Sequence, residues 1–406
     1  MRYLERNFIS NALSGLAAKM ADQLMNPGIV LPFLFSAMSI PSAITGLLVP
    51  VRQAGATLPQ IFFANTVKRF PVRKWVWVLA TFGQAAAVLL MAVSAVLFKG
   101  IIGGVLVVLA LLLFSVIKAF SSISFKDTLA KTIEKGRRGR LMSARAALGG
   151  IATLAAGLFF RFYVTGGSYL VYAYILFASA SFWFIAAALF AAIDEKKDYP
   201  RLSDSTLEDV KLGLGLLWSH VHFRRFMIGR SLLATVNLYI PFFILLFSSI
   251  SANSFRTFGT LFIASSLAQV ISNPLWGHMS DRSSRKTMVF TSVLALLMGL
   301  VAVYLSIFPF SDELVYGLII FLVVSALSGL EVSRKTYLTD ATPPDQRALY
   351  VATTNTLAGI ASIVGLLFGV IAQFAGLTAL FVIASVAIFV GIFYTSLLPE
   401  AEESVL

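Results

Sequence analysis

Hydrophobic and polar positions along this chain neither alternate nor keep to one helical face. They gather into long apolar blocks parted by short basic hinges. A block of roughly 20 apolar residues crosses a bilayer core of about 30 Å as a helix. Twelve blocks are predicted as such helices: 9–34, 38–64, 75–98, 102–125, 142–162, 169–193, 227–250, 256–279, 287–309, 314–338, 348–373 and 376–398. The short alternating segments of an outer-membrane barrel are missing from the pattern. Pro27, Pro32, Pro50, Pro59, Pro241 and Pro274 fall inside blocks. Membrane helices tolerate this where neighbours satisfy the freed carbonyls.

The longest hinge, 194–225, has its own pattern. It opens DEKKDYPRLSDS and continues STLEDVKLGLGLLWSHV. Ser205 and Glu208 fit a capping box. Leu207, Val210, Leu214, Leu217 and Val221 then recur at helical spacing, which predicts an amphipathic helix lying on the membrane surface after a charged linker. The hinge divides the chain into 1–193, 194–225 and 226–406. The flanking halves align without a gap over 124–150 and 333–359. Ser124/Ser333, Lys126/Lys335, Leu129/Leu338, Arg138/Arg347, Leu148/Leu357 and Gly150/Gly359 coincide. The expected fold is therefore an all-α polytopic membrane protein, with two six-helix bundles related by a pseudo-two-fold repeat.

Composition agrees: 58% of residues are hydrophobic and 13% charged, against about 25% charged in a soluble domain. The net charge of +13 is a topology signal, so no nucleic-acid partner is expected. Arg2, Arg6, Lys68 to Lys74, Lys126 to Arg145, Lys196 to Arg230, Arg282 to Lys286, Arg334, Lys335 and Arg347 fall on one side of the predicted membrane. Lys99, Arg161 and Arg256 fall on the other. Basic residues gather in the cytoplasm, so both termini are expected there. Cysteine is absent, which excludes disulfides, thiolate metal sites and Cys nucleophiles. The N-terminus lacks a small-residue cleavage site after a short apolar core, so no cleaved signal peptide is expected.

One hinge carries a distinctive motif. NPLWGHMSDRSSRK, residues 273–286, sets Gly277, Asp281, Arg282, Arg285 and Lys286 between two apolar blocks. A glycine there lets two helices approach. An acid can meet the positive end of another helix, or a base, in one state of a two-state gate. Arg138, Arg140 and Arg145 are the bases nominated for Asp281. The three bases of the motif also fit plain topology anchors. The motif resembles the loop signature of the major facilitator superfamily, G-x-x-x-D-R-x-x-R-K, between spans 8 and 9. That resemblance implies two bundles alternating access to a central cavity lined by spans 1, 4, 7 and 10, and leans toward the multidrug-efflux branch. The first half departs from it: ANTVKRFPVRK, residues 64–74, keeps the bases without the acid. A charge-reversed latch would join Lys68 or Arg69 to Asp340 or Asp345.

Ionisable groups near mid-bilayer cost at least about 2.5–3.5 kcal/mol, so they face a wet cavity or a partner. Span 1 carries Lys19, Asp22, Gln23 and Asn26 on one face. Lys19 and Asp22 are close enough in sequence to pair. Span 2 adds Arg52 and Gln53, with no acid on its own helix. Span 4 carries Lys118 with Ser121 and Ser122, span 7 Asn237, and span 10 Ser325, Ser328, Glu331 and Arg334. Asp22 and Glu331 are the candidates for proton coupling; Lys19–Asp22 and Glu331–Arg334 fit static pairs equally well. Gly365 and Gly369 form a packing GxxxG.

No ATP-binding loop, HExxH or nucleophile elbow occurs, so the chain is not expected to be an enzyme. It needs no cofactor, a proton or ion gradient supplying the energy. The expected function is secondary active efflux of a small molecule by a monomer in a bacterial inner membrane. The alternatives are an uptake permease for a small organic anion, since bases outnumber mid-membrane acids, and a non-transporting scaffold or receptor. A channel is disfavoured because no filter segment is evident.

Overall fold

In a bilayer the solvent around a helix is as apolar as its core, so burial alone cannot hold two spans together. Close approach of small residues and interhelical hydrogen bonds must do so. The computed structural model describes residues 2–134, 136–164, 168–198, 206–250, 254–343 and 346–401. Among them there are helices and no strands. They form two compact units: residues 1–40 with 51–204, and residues 41–50 with 205–406.

The first unit contains α1 (Arg2–Leu24) and α2 (Val30–Ala37). Short α3 (Ser42–Thr45) belongs to the second unit, and α4 (Leu48–Thr57) leads back. Then follow α5 (Gln60–Lys68), α6 (Lys74–Leu97), α7 (Gly100–Thr132), α8 (Arg138–Tyr163) and α9 (Tyr169–Ala191). Helix α1 packs on α8 and α9, and α6 on α7 and α9. Ala17, Ala21, Ala85, Ala87, Ala186 and Ala187 are buried at these crossings. The Ser14 hydroxyl donates to the Ala186 carbonyl at 2.8 Å, and Ser179 to Ala21 at 2.7 Å. At the start of α1, Asn7 Nδ2 donates to the Asp194 carbonyl at 3.0 Å. The Asp194 amide returns a bond to Asn7 Oδ1 at 2.9 Å.

The second unit continues with α10 (Thr206–Ser219), α11 (Val221–Leu233), α12 (Thr235–Leu238), α13 (Ile240–Ile250), α14 (Ser254–Arg282), α15 (Ser284–Ile307), α16 (Glu313–Asp340), α17 (Arg347–Val364), α18 (Leu366–Phe374) and α19 (Gly376–Ser396). Helix α16 packs on α14 and α15, and α19 on α11 and α15. The Tyr239 hydroxyl donates to the Ala295 carbonyl at 3.0 Å, and Phe247 stacks on Tyr316 at 4.1 Å. Gly376 turns from α18 into α19 with φ +85°, a left-handed geometry that favours glycine.

Among the described residues, ten helical stretches are long and apolar enough to cross a membrane. The predicted spans 1 and 2 are interrupted instead. In span 1, Pro27 lacks an amide donor, and Asn26 takes over. Its carbonyl accepts from Val30 at 2.9 Å and its Oδ1 from Gly28 at 2.8 Å, which ends α1 and starts α2. Span 2 breaks ahead of Pro59, the N-cap of α5. Pro274, by contrast, sits inside unbroken α14.

The hinge helix differs from its prediction. Extended backbone at His220 (φ −116°, ψ 104°) separates α10 from α11, so Val221 belongs to the next helix. Ser205 and the side chains of Leu207, Glu208 and Val210 lie outside the described residues. Leu214 is exposed and Leu217 packs on the cluster of Phe223 and Tyr350. Helix α10 lies on α17 through Gly213, where a built Cβ would overlap Thr353.

Candidate functional site

The polar residues predicted for spans 1, 2 and 4 form one cluster in the first unit. Asp22 Oδ1 accepts from Arg52 Nη2 at 2.8 Å, and the Asp22 side chain is 39% exposed, so the pair is reachable. The structure thus gives Asp22 a partner the sequence did not name, Arg52 on α4. The acid missing from α4 is supplied across the bundle. The Arg52 guanidinium lies over the Phe114 ring, 4.6 Å from its centroid. Phe114 meets Trp183 edge-on at 5.6 Å, and the Lys118 ammonium sits over Trp183 at 4.6 Å. Each cation thus rests on the negative face of a buried aromatic ring. Lys19 lays its stem on Gly149 of α8, where a Cβ would come within 2.6 Å of Lys19 Cγ. Gln23 is buried and accepts from Asn26 Nδ2 at 3.0 Å. Gln53 is half-buried on α4, and its carbonyl accepts from Thr57 at 2.8 Å.

Phe114 and Trp183 were not legible as site residues. The available signal was spacing: Phe114 stands one turn from Lys118. Ser121, grouped with Lys118 by spacing, donates to the Lys118 carbonyl at 3.0 Å and accepts from buried Gln84 at 3.2 Å.

In the second unit, Asn237 is half-buried on α12. Ser325 accepts from Ser272 at 2.7 Å and from Trp276 Nε1 at 3.2 Å, which ties α16 to α14. Glu331 approaches Lys335 at 3.9 Å, one turn on, and its side chain is half exposed. This bridge runs to Lys335 in place of the Arg334 expected from sequence; Arg334 is half-buried on α16.

The motif residues have definite places. Asp281 and Arg282 are exposed at the end of α14. Among the described residues, no atom lies within 4 Å of a Cβ built on Gly277. Arg285 donates to Glu400 Oε1 at 2.8 Å and to the Leu398 carbonyl at 2.9 Å. Ser283 donates to Glu400 Oε2 at 2.8 Å, and Lys286 lies 4.0 Å from that carboxylate. The RK pair at 73–74 makes the matching arrangement in the first unit. Arg73 faces Asp127 at 3.5 Å and Asp198 at 3.7 Å, and the Lys74 amide donates to Glu195 at 2.6 Å. In each unit this arginine therefore clamps an acid just beyond the unit's last span.

Of the bases nominated for Asp281, Arg138 caps α7 by donating to the Ile133 carbonyl at 3.0 Å, and Arg140 is exposed. Arg145 donates to the Asn11 carbonyl at 2.7 Å and to Asn11 Oδ1, over the Phe125 ring. Arg69 and Asp340 are exposed at helix ends. Asp345 and the Lys68 side chain lie outside the described residues.

These features define a polytopic α-helical membrane protein with charged groups inside its spans. The Major Facilitator Superfamily model matches residues 233–405. Solved structures share the fold over nearly the whole chain. The D-xylose–proton symporter aligns with TM-score 0.73 and 14% identity, covering 100% of both chains. The nucleoside transporter NupG aligns with TM-score 0.71 and 14% identity, covering 98% of each. A POT family transporter in complex with 5-aminolevulinic acid aligns with TM-score 0.73 and 10% identity, covering 97% of this chain and 96% of the other. No curated protein sequence matches. The family match lies within the second unit, and the shared fold extends over both units.

Proposed function

We propose that the chain is a secondary active transporter that moves a small molecule by alternating access, coupled to protons, in the export direction. The observation that carries this reading is the Asp22–Arg52 pair, 2.8 Å apart within the spans with its carboxyl half-buried. A carboxylate in such a pair exchanges one partner for another when it takes a proton: the bond to Arg52 is lost and the guanidinium is released. Protonation is thereby linked to the arrangement of α1 and α4. Glu331, half exposed beside Lys335, is the second candidate. The export direction rests on the resemblance to efflux permeases in length, short outer loops and aromatic content. Asp281, exposed at the end of α14, is the proposed acid of a gate. Both termini are proposed to face the cytoplasm of a bacterial cell.

The test is proteoliposome transport with an entrapped pH-sensitive dye. Cationic, neutral and anionic compounds are screened under an imposed pH gradient. Proton movement triggered by one class and lost in Asp22→Asn supports the reading. Substrate flux without proton movement leaves a facilitator and reduces Asp22–Arg52 to a structural pair.

A further inference from the structure

The spans of the first unit hold more positive charge than their acid balances. Within those predicted spans Asp22 is the one carboxylate, against Lys19, Arg52, Lys118, Arg145 and Arg161. Asp22 is engaged by Arg52 at 2.8 Å. The donors of Arg145 go to the neutral oxygens of Asn11. Lys118 has its ammonium on the face of Trp183 at 4.6 Å. A ring face stabilises a cation by about 0.5–2 kcal/mol. A charged side chain within a span carries a cost, largest at the helix centre, and Lys118 falls past the middle of span 102–125. A mobile anion can offset what the ring does not.

The placement suits a binding group. Trp183 is 1% exposed and Phe114 is fully buried, so the rings hold their cations from behind. Lys118 itself is half-buried, as is Asp22 beside Arg52. Asp22 and Arg52 together carry no net charge, so Lys118 and Lys19 are the cluster's remaining charges, and of the two it is Lys118 that sits on the ring.

We infer that this cluster takes a small organic anion as cargo, with Lys118 as its counter-charge. The inference rests on the transporter reading above and names the substrate class of the same site.

The test uses the full chain in nanodiscs and three probes with one ring and different charge: benzoate, benzyl alcohol and benzylammonium. Thermal unfolding is followed at matched ionic strength and millimolar probe. Benzoate is expected to raise the unfolding temperature saturably, and the other two are not. Lys118→Gln should weaken the benzoate effect at least tenfold, and Lys118→Arg should restore it. Equal stabilisation by benzyl alcohol or benzylammonium overturns the inference, as does the lack of any benzoate effect on the wild type. An undiminished effect in Lys118→Gln also overturns it. The wild-type comparison needs no variant to fold. Flux of a neutral or cationic compound without any benzoate effect removes this inference and keeps the transporter reading. Saturable benzoate binding without flux of any compound keeps the anion site and removes the transporter reading.

Discussion

Asp22 and Arg52 stand 30 positions apart and meet at 2.8 Å, joining α1 to α4. The pair is neither sealed nor fully exposed, so its coupling should fall between surface and buried pairs, at about 1–3 kcal/mol. Asp22→Asn and Arg52→Gln should each lower thermal stability in detergent. The double variant should lose clearly less than the sum of the two. Strict additivity would show that the two side chains do not interact in solution.

Two glycines should respond in opposite ways to alanine. A Cβ at Gly369 would come within 2.5 Å of the Ala43 carbonyl oxygen, and backbone cannot swing aside. Gly369→Ala should destabilise the second unit by about 1–3 kcal/mol. Gly277 has open space where a Cβ would go. Gly277→Ala should be neutral, or stabilising by up to about 1 kcal/mol through helix propensity. Temperature-ramped size-exclusion chromatography measures both, and a destabilised Gly277→Ala would contradict the placement of α14.

Glu195 has a fully buried side chain that accepts from the Lys74 amide at 2.6 Å and faces Lys131 at 3.4 Å. Glu195→Leu removes both interactions and leaves Lys131 with Asp198 at 3.2 Å. A loss of about 3–5 kcal/mol is expected. Glu195→Gln keeps an acceptor for the amide and should lose about half as much. Equal losses in the two variants would show that the charge contributes nothing.

Glu400 should matter to α15 although it lies after the last helix. Its carboxylate holds Arg285 and Ser283, and Ser283 caps Lys286 at 3.1 Å. Glu400→Ala should cost about 1–2 kcal/mol and speed hydrogen exchange in the first turn of α15. Unchanged exchange there would mean that the clamp does not hold the helix start.

The apolar blocks foretold the helices because length and hydropathy are written locally. Their ends were less legible. Helix α7 runs to Thr132, well past its apolar block, and α11 begins at Val221, because helices continue into water when their caps allow. The site was legible as residue types but not as partners. Spacing on one helix suggested Lys19 for Asp22 and Arg334 for Glu331. Fold geometry brings Arg52 to Asp22, and the i,i+4 neighbour Lys335 to Glu331. Phe114 and Trp183 escaped notice because rings are common in every span and only packing selects those beneath a cation.

The reciprocal bonds between Asn7 and Asp194 bring the entry and exit of the first bundle to one place. Its chain is a ring in all but one covalent link. A short peptide from Asp198 back to Arg6 would close that ring, and the sequence could be cut open at Lys99 without parting the two ends. The order in which these helices are synthesised is thus separable from the bundle they build.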